Sequence, residues 1–424
     1  MNKDLQKVVL NCGLVLAGLV FGLALSEVAA RVLLDAPAGY LLYSRERTSA
    51  HHTLETMVQD SRLLIRVPAN SPGHDERGFR NPASLSRADV VAIGDSQTWG
   101  INARQSETWP ATLGALENRP VYSMALGGWG PLQYELLAKD ALDLNPTAIL
   151  VGLYFGNDIF DSCSHTYGTD LYPKYRRTDT DYSSSLAELR DRLNRADNAA
   201  RLDSVRQRLE EMGGPAKLWQ GVARRSLLMQ LLMTRGLIPS IPSVDELYEA
   251  ADMAWGREHP EIAAVYATKE YSTVLTFGYR GVAVALENPC IQEGVRITKE
   301  VFSAVKAIGD QAGVPIGMVF IPTKETVYVT ADPALRAQMA DGFAQMIKNE
   351  AMIKQDLLGH CQKIGLVCVD ATNRLVEAAK QGVVLYKSDS DGHPLAAGYR
   401  QIAYAGREAL SALGGLAKQS SPQP

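Results

Sequence analysis

Short apolar runs, each ending in a glycine- or aspartate-bearing turn and followed by a helical pattern, recur towards both ends of this chain. ADVVAIGDS (88–96), PVYSMALGG (120–128) and PTAILVGLYFGND (146–158) read as buried strands running into turns. PLQYELLAKDALDL separates the second from the third with apolar residues at helical spacing. The alternation resumes after residue 290 with a helix (GVRITKEVFSAVKAIG), a strand (VPIGMVFIP), another helix, the strand IGLVCVDAT and a final helix near 395–413. Strands of this kind alternating with helices predict an α/β fold, a parallel sheet sandwiched by helices. Ligands of such sheets bind beyond the carboxyl ends of the strands, so the turn clusters should face a common crevice.

Residues 166–289 break that rhythm. Leu186, Leu189 and Leu193, then Leu202, Val205, Leu209 and Met212, recur at three- and four-residue steps among charged residues. This predicts a large helical insertion, read as a cap packed on its own domain or as a helix that binds a partner. Within it RRSLLMQLLMTRGLIPSIP (224–242) is too short to cross a membrane; it is read as packed in a core or touching a membrane surface. Residues 35–85, with SPGHDERGFRNPAS, read as a linker leading into the domain. The two halves of the α/β domain are then 86–165 and 290–413, with 414–424 a flexible tail.

At the amino terminus, Val8 to Leu25 carry no charge, and Asn11 is the one strongly polar side chain. Eighteen such residues are enough helix to cross about 30 Å of hydrocarbon. Lys3 and Lys7 precede the run and Glu27 closes it, which favours a cytoplasmic amino terminus and an exported body. Residues 1–34 are therefore expected to be a retained membrane helix. The competing reading is a cleaved signal peptide, with Gly22 and Ala24 or Ala24 and Ser26 as the cleavage pair. Lys and Arg number 43 against 47 Asp and Glu, a net charge of −4, and no basic run forms a nucleic-acid footprint. Five cysteines show neither CxxC nor a zinc-type Cys/His spacing, so no metal and no cofactor is expected.

The clusters at the strand ends are Gly94-Asp95-Ser96, Leu126-Gly127-Gly128-Trp129-Gly130 and Gly156-Asn157-Asp158, and Asp389-Ser390-Asp391-Gly392-His393-Pro394 precedes the last helix. Singly they are turn and cap chemistry. Together, and in this order, they supply a nucleophile, oxyanion donors, an orienting acid and a general base for acyl transfer. The set resembles the SGNH (GDSL) hydrolases, whose fold is of the flavodoxin-like α/β type. Ser96 in IGDSQTWG matches the first block, Gly127 or Gly128 in ALGGWGPLQY the second, Asn157 in YFGND the third and His393 in DGHPLAAGY the last. The resemblance spans the two α/β segments and not the insertion.

That resemblance implies Ser96 as nucleophile, His393 as base, and an oxyanion hole from the backbone N–H groups of Ser96 and Gly127 with the Asn157 amide. The acid commonly lies three residues before the His, where this chain has Ser390; Asp391 lies two before and Asp389 four before. The Asp-x-His spacing is similar to that of relatives acting on envelope polysaccharides, and Asp391 is taken as the acid. Trp129 is a candidate substrate contact, as a platform for a sugar or acyl chain, or a packed loop residue. Asp95 and Asp158 are read as bracing their turns. The implied activity is hydrolysis of acyl esters, O-acetyl groups on an envelope polysaccharide being the substrate class. The alternatives are an O-acetyltransferase acting on an exported polysaccharide, and a non-catalytic scaffold whose insertion binds an envelope-assembly partner. No nucleic acid enters any of these readings. The location is periplasmic or extracellular, with a single N-terminal anchor. In such an oxidising compartment Cys163 and Cys290 could staple the root of the insertion, or stay two buried thiols. Cys12 lies in the anchor, and Cys361 and Cys368 read equally as core residues.

Overall fold

The computed structural model describes residues 3–33, 57–196, 226, 228, 229, 232, 237, 244–336 and 339–420. The chain divides into two compact units, one of residues 1–48 and 203–247, the other of 49–202 and 248–424. In the first unit the helix α1 spans Lys3–Leu33. Its Glu27 carboxylate accepts hydrogen bonds from the Ser226 hydroxyl at 2.8 Å and the Leu228 N–H at 2.9 Å.

The second unit is built on a five-stranded parallel sheet in the order β4-β3-β5-β8-β9. Its strands are β3 Val90–Gly94, β4 Val121–Ala125, β5 Ala148–Tyr154, β8 Ile316–Ile321 and β9 Val367–Asp370. β1 Val58–Asp60 pairs antiparallel with β2 Leu64–Arg66, and β6 Ala263–Ala267 with β7 Ser272–Thr276. Side chains alternate strictly between the two faces. Val91, Ile93, Ile149 and Val151 enter one core with Tyr134, Ile159 and Phe302, whereas Val90, Ala92 and Leu150 enter the other with Trp109, Leu113 and Ile402. This is what a strand apolar on both faces requires, and it fixes register, because a one-residue slip would exchange the two cores.

Helices cover both faces. They are α2 Ser96–Trp99, α3 Trp109–Glu117, α4 Pro131–Ala141, α5 Asp158–Gly168, α6 Ser183–Ala196, α7 Val244–Glu258, α8 Phe277–Ala283, α9 Pro289–Ala312, α10 Lys324–Ala331, α11 Pro333–Arg336, α12 Asp341–Ile364, α13 Thr372–Lys380 and α14 Ala396–Ser420. The α/β sandwich expected from the strand pattern is the fold observed.

Four boundaries differ from the sequence reading. Residues 57–85 are no linker: Leu63, Val67, Asp75, Arg80 and Asn81 are buried there, with the Asn81 amide donating to the Asp75 carboxylate and the Ser123 carbonyl. Their turn-forming residues bend a segment that is packed onto the sheet. The insertion is not wholly helical, because AAVYATKEYSTVLT closes as the β6–β7 hairpin. Its α6 buries Leu186 and Leu189, as a cap packed on its own domain does, while Leu202, Val205, Leu209 and Met212 lie outside the described residues. The expected tail is helical as far as Ser420. Finally, among the described residues no helix is long and apolar enough to cross a membrane. The side chains of several residues in the apolar run of α1 fall outside that set, and those described there, such as Leu14, Phe21 and Leu25, are exposed. The fold thus carries the α/β part of the expectation, and the membrane anchor rests on the sequence.

Cys163 on α5 and Cys290 on α9 form a disulfide with Cα atoms 5.7 Å apart, closing a separation of 127 residues. Cys361 and Cys368, which read equally as core residues, form a second. Non-reducing peptide mapping should return both linked pairs. Replacing Cys163 and Cys290 together by alanine should cost about 2–5 kcal/mol in denaturant unfolding, because the loop they close is long.

Candidate active site

The chain begins its sheet at β3, places β4 on one side and then returns to add β5 on the other. That reversal opens a crevice at the carboxyl end of β3, where Ser96 lies two residues beyond Gly94. Asp95 caps α2: its buried carboxylate accepts from the Gln97 N–H at 2.9 Å. The cap turns the chain sharply and leaves Ser96 as the first residue of the helix.

His393 meets this serine from the far end of the sequence. Its Nε2 lies 2.8 Å from the Ser96 Oγ, and its Nδ1 lies 2.6 Å from Asp391 Oδ1. Asp391 also accepts from the His393 N–H at 3.0 Å, and its Oδ2 accepts from the Asn102 amide at 2.7 Å. That amide donates to the His393 carbonyl as well, at 3.2 Å. Asn102 holds a left-handed φ of 67°, a conformation asparagine tolerates. Nothing in the strand pattern singles it out; its signal was an asparagine in the turn six residues after the nucleophile. Asp389 does not reach the histidine. It accepts from the Asp391 N–H at 3.0 Å and pairs with Lys387. Between Asp391 and His393, a Cβ on Gly392 would lie 2.8 Å from the Tyr154 hydroxyl and 2.9 Å from the Arg280 guanidinium. Close approach is what requires glycine.

The other two strand ends meet the same crevice. A Cβ built on Gly127 would touch the Ser96 Cβ at 3.5 Å, an ordinary contact, whereas Gly128 has a φ of +84° and is the position that needs glycine. Asn157 follows β5, and its Nδ2 donates to Asp161 at 2.7 Å, which leaves its second amide hydrogen for another acceptor. Trp129 is not a platform. It is 2 % exposed, and its indole N–H donates to the Ile65 carbonyl at 2.9 Å, because the folded lead-in covers it. Asp158 braces its turn as expected, accepting from the Tyr154 N–H and the Tyr134 hydroxyl. Asp95 does more than brace, since its Oδ2 also lies 3.2 Å from the Ser96 hydroxyl.

Burial raises three carboxyls beneath the serine. Asp95 is pushed up to about 6, against the opposing hydrogen bond from the Gln97 N–H, Asp161 is pushed up to about 8, and Asp158 rises well above the usual range. Burial works in the same direction on Asp391, but the His393 charge and the hydrogen bonds from His393 and Asn102 hold it far below the carboxylate range. Burial alone would depress His393; the charge and hydrogen bond of Asp391 bring it above its ordinary value. An ionised Asp391 therefore faces the Nδ1 of His393. Among the described residues no cluster of His, Cys, Asp and Glu could hold a metal ion.

No family model matches the chain, and no curated protein matches it. Among solved structures, a phospholipase A1 from Streptomyces albidoflavus is 12% identical, with a TM-score of 0.33 over 77% of this chain and 99% of the other. An extracellular lipase from Streptomyces rimosus is 12% identical, with a TM-score of 0.32 over 77% and 99%. A GDSL-like lipase from Bacteroides thetaiotaomicron is 9% identical, with a TM-score of 0.31 over 76% and 87%. Likeness at this level carries no argument about activity, and the chemistry rests on the site's own geometry.

If His393 acts as base it must be neutral, so kcat/KM should rise with pH through a value above 6.5 and fall away below it. In Asp391→Asn the influence that raises the imidazole is gone. The acidic limb should move to lower pH while kcat drops by about 10⁴-fold. A pH–rate profile of both proteins checks the pair.

Proposed function

We propose that this chain is a serine esterase of SGNH type that hydrolyses acyl esters. The observation that carries the reading is the unbroken relay Ser96 Oγ–His393 Nε2 at 2.8 Å and His393 Nδ1–Asp391 at 2.6 Å, seated at the topological switch point of a parallel sheet. Ser96 Oγ attacks the ester carbonyl as His393 Nε2 takes its proton. The carbonyl oxygen gains negative charge and is received by the N–H groups of Ser96 and Gly127 and the remaining amide hydrogen of Asn157. Collapse of the tetrahedral species returns the proton from His393 to the leaving alcohol. Water, deprotonated by the same nitrogen, then releases the acid and regenerates Ser96.

The substrate class is an O-acetyl ester on an envelope polysaccharide, and the chain works on the exported side of a membrane, held there through the apolar run of its amino terminus. Two disulfides among the described residues support an oxidising compartment. The apolar, uncharged run from Val8 to Leu25 supports the anchor.

A panel of p-nitrophenyl esters of increasing acyl length should show turnover that favours acetate. Ser96→Ala and His393→Ala should each abolish it, and the double variant should be little worse than either, since such losses are not additive. Full turnover in Ser96→Ala would remove the reading. Preferential transfer of acetyl to an added oligosaccharide, over release of free acid, would convert the hydrolase into a transferase with the same machinery.

A further inference from the structure

The loop that carries Asp391 and His393 has almost no secondary structure of its own. A single antiparallel bridge, Tyr386 to Pro394, pinches its root, and between them no strand or helix satisfies the backbone. Buried carbonyls and N–H groups must nevertheless find partners. Here they find side chains. The Lys324 ammonium, wholly buried, donates to the carbonyls of Asp389 at 2.5 Å and Asp391 at 3.1 Å. Between those two, the Ser390 carbonyl accepts from the Arg280 guanidinium at 2.6 Å. The Thr273 hydroxyl lies 2.6 Å from the Lys387 carbonyl and 3.0 Å from that of Asp389. Asp252 accepts from both the N–H and the hydroxyl of Ser390 at 2.8 Å.

Two features separate this from ordinary loop packing. Three successive carbonyls, 389 to 391, are drawn to two buried cations. Arg280 is neutralised by a paired Glu325, at 2.6 and 2.7 Å, whereas Lys324 spends its donors on the loop. Moreover, three of the four holding residues, Asp252, Thr273 and Arg280, belong to the segment that interrupts the sheet. That segment was read from sequence as a cap or a partner-binding arm.

We propose that Lys324 is a positioning residue for the Asp391–His393 pair, and that residues 252–280 of the insertion form, with it, a cradle built into the catalytic centre. The inference rests on the esterase reading above. Removing the ammonium frees the Asp391 carbonyl and leaves that of Asp389 to Thr273 alone, and the acid two residues before the base loses its fixed distance from Ser96. A displacement of about 1 Å at a reacting group can cost on the order of 100-fold in rate.

The test uses the full-length chain in detergent with p-nitrophenyl acetate as probe. Lys324→Met keeps the length and apolar stem of the side chain and removes its donors. It should lower kcat by about 100-fold with KM changed less than about twofold, because binding does not depend on the relay. Thr273→Val, which keeps the shape and removes the hydroxyl, should lower kcat several-fold, and Thr273→Ser should recover most of that loss. Wild-type kcat in a folded Lys324→Met protein overturns the proposal. If Lys324→Met does not fold, the Thr273 pair decides: valine and serine variants of equal kcat overturn it. Ser96→Ala in the same assay keeps the two readings apart. Turnover there removes the esterase itself, whereas an inactive Ser96→Ala beside a fully active Lys324→Met removes only the cradle.

Discussion

The lateral pairing of β3 with β4 on one side and β5 on the other is the constraint on which this molecule depends. Gly94 lies opposite Ala125, so β3 and β4 finish side by side, while β5, whose Val151 lies opposite Ile93, runs on to Tyr154. Whatever follows their last residues must share one crevice. The strands can hold this alignment because each is buried on both faces. A slip would send Val91 and Ile93 into the core now filled by Val90 and Ala92. The position of Ser96 is thus set by the packing of the strand that precedes it between two cores.

The two sides of the site are held by different means. On the nucleophile side the backbone does the placing: an N-cap at Asp95, a left-handed glycine at 128 and the start of a helix at Asp158 fix the chain direction. The buried acids beneath, Asp95, Asp158 and Asp161, keep their turns by accepting hydrogen bonds from neighbouring amides and hydroxyls. On the base side there is no strand end to lean on. Asp391 and His393 come from a loop that reaches the crevice through side chains of other segments, Asn102 on one flank and Lys324 on the other.

This difference explains what the sequence shows and what it hides. The strands of the parallel sheet, their carboxyl-end clusters and the spacing Asp391-Gly392-His393 are local patterns, and period and turn chemistry make them legible. Asn102, Lys324 and Arg280 are legible only in three dimensions. Each is an unremarkable residue whose partners between positions 387 and 393 lie 63 to 291 residues away. Trp129 shows the converse. Its glycine-flanked loop suggests an exposed ring, yet a lead-in segment rich in turn formers folds over it and takes its N–H. Turn-forming composition marks where a chain bends; it does not tell whether the bend is packed. Cys361 and Cys368 pair across a helix end and the following strand for a similar reason, since connectivity is a property of the fold.

A buried lysine and a buried Arg–Glu pair are poor investments if stability is the aim, because desolvating such charges offsets most of the attraction gained. Apolar residues of similar volume would fill the same space at no such cost. What they could not do is hold carbonyl groups at fixed points along a loop. The charges are found where the backbone lacks ladder partners, beside Asp391 and His393, whereas among the described residues lysine–carboxylate pairs such as Lys354–Asp370 lie at partly exposed sites. The disulfide at the root of the insertion serves the same end from a distance. By tying α5, which begins at the oxyanion side, to α9, which follows the cradle, it limits how far the returning segment can drift from the sheet that carries Ser96. The interruption in the α/β rhythm thus reaches the crevice: the sheet places Ser96, and the segment that departs from the sheet holds the backbone of Asp389 and Ser390, just before Asp391 and His393.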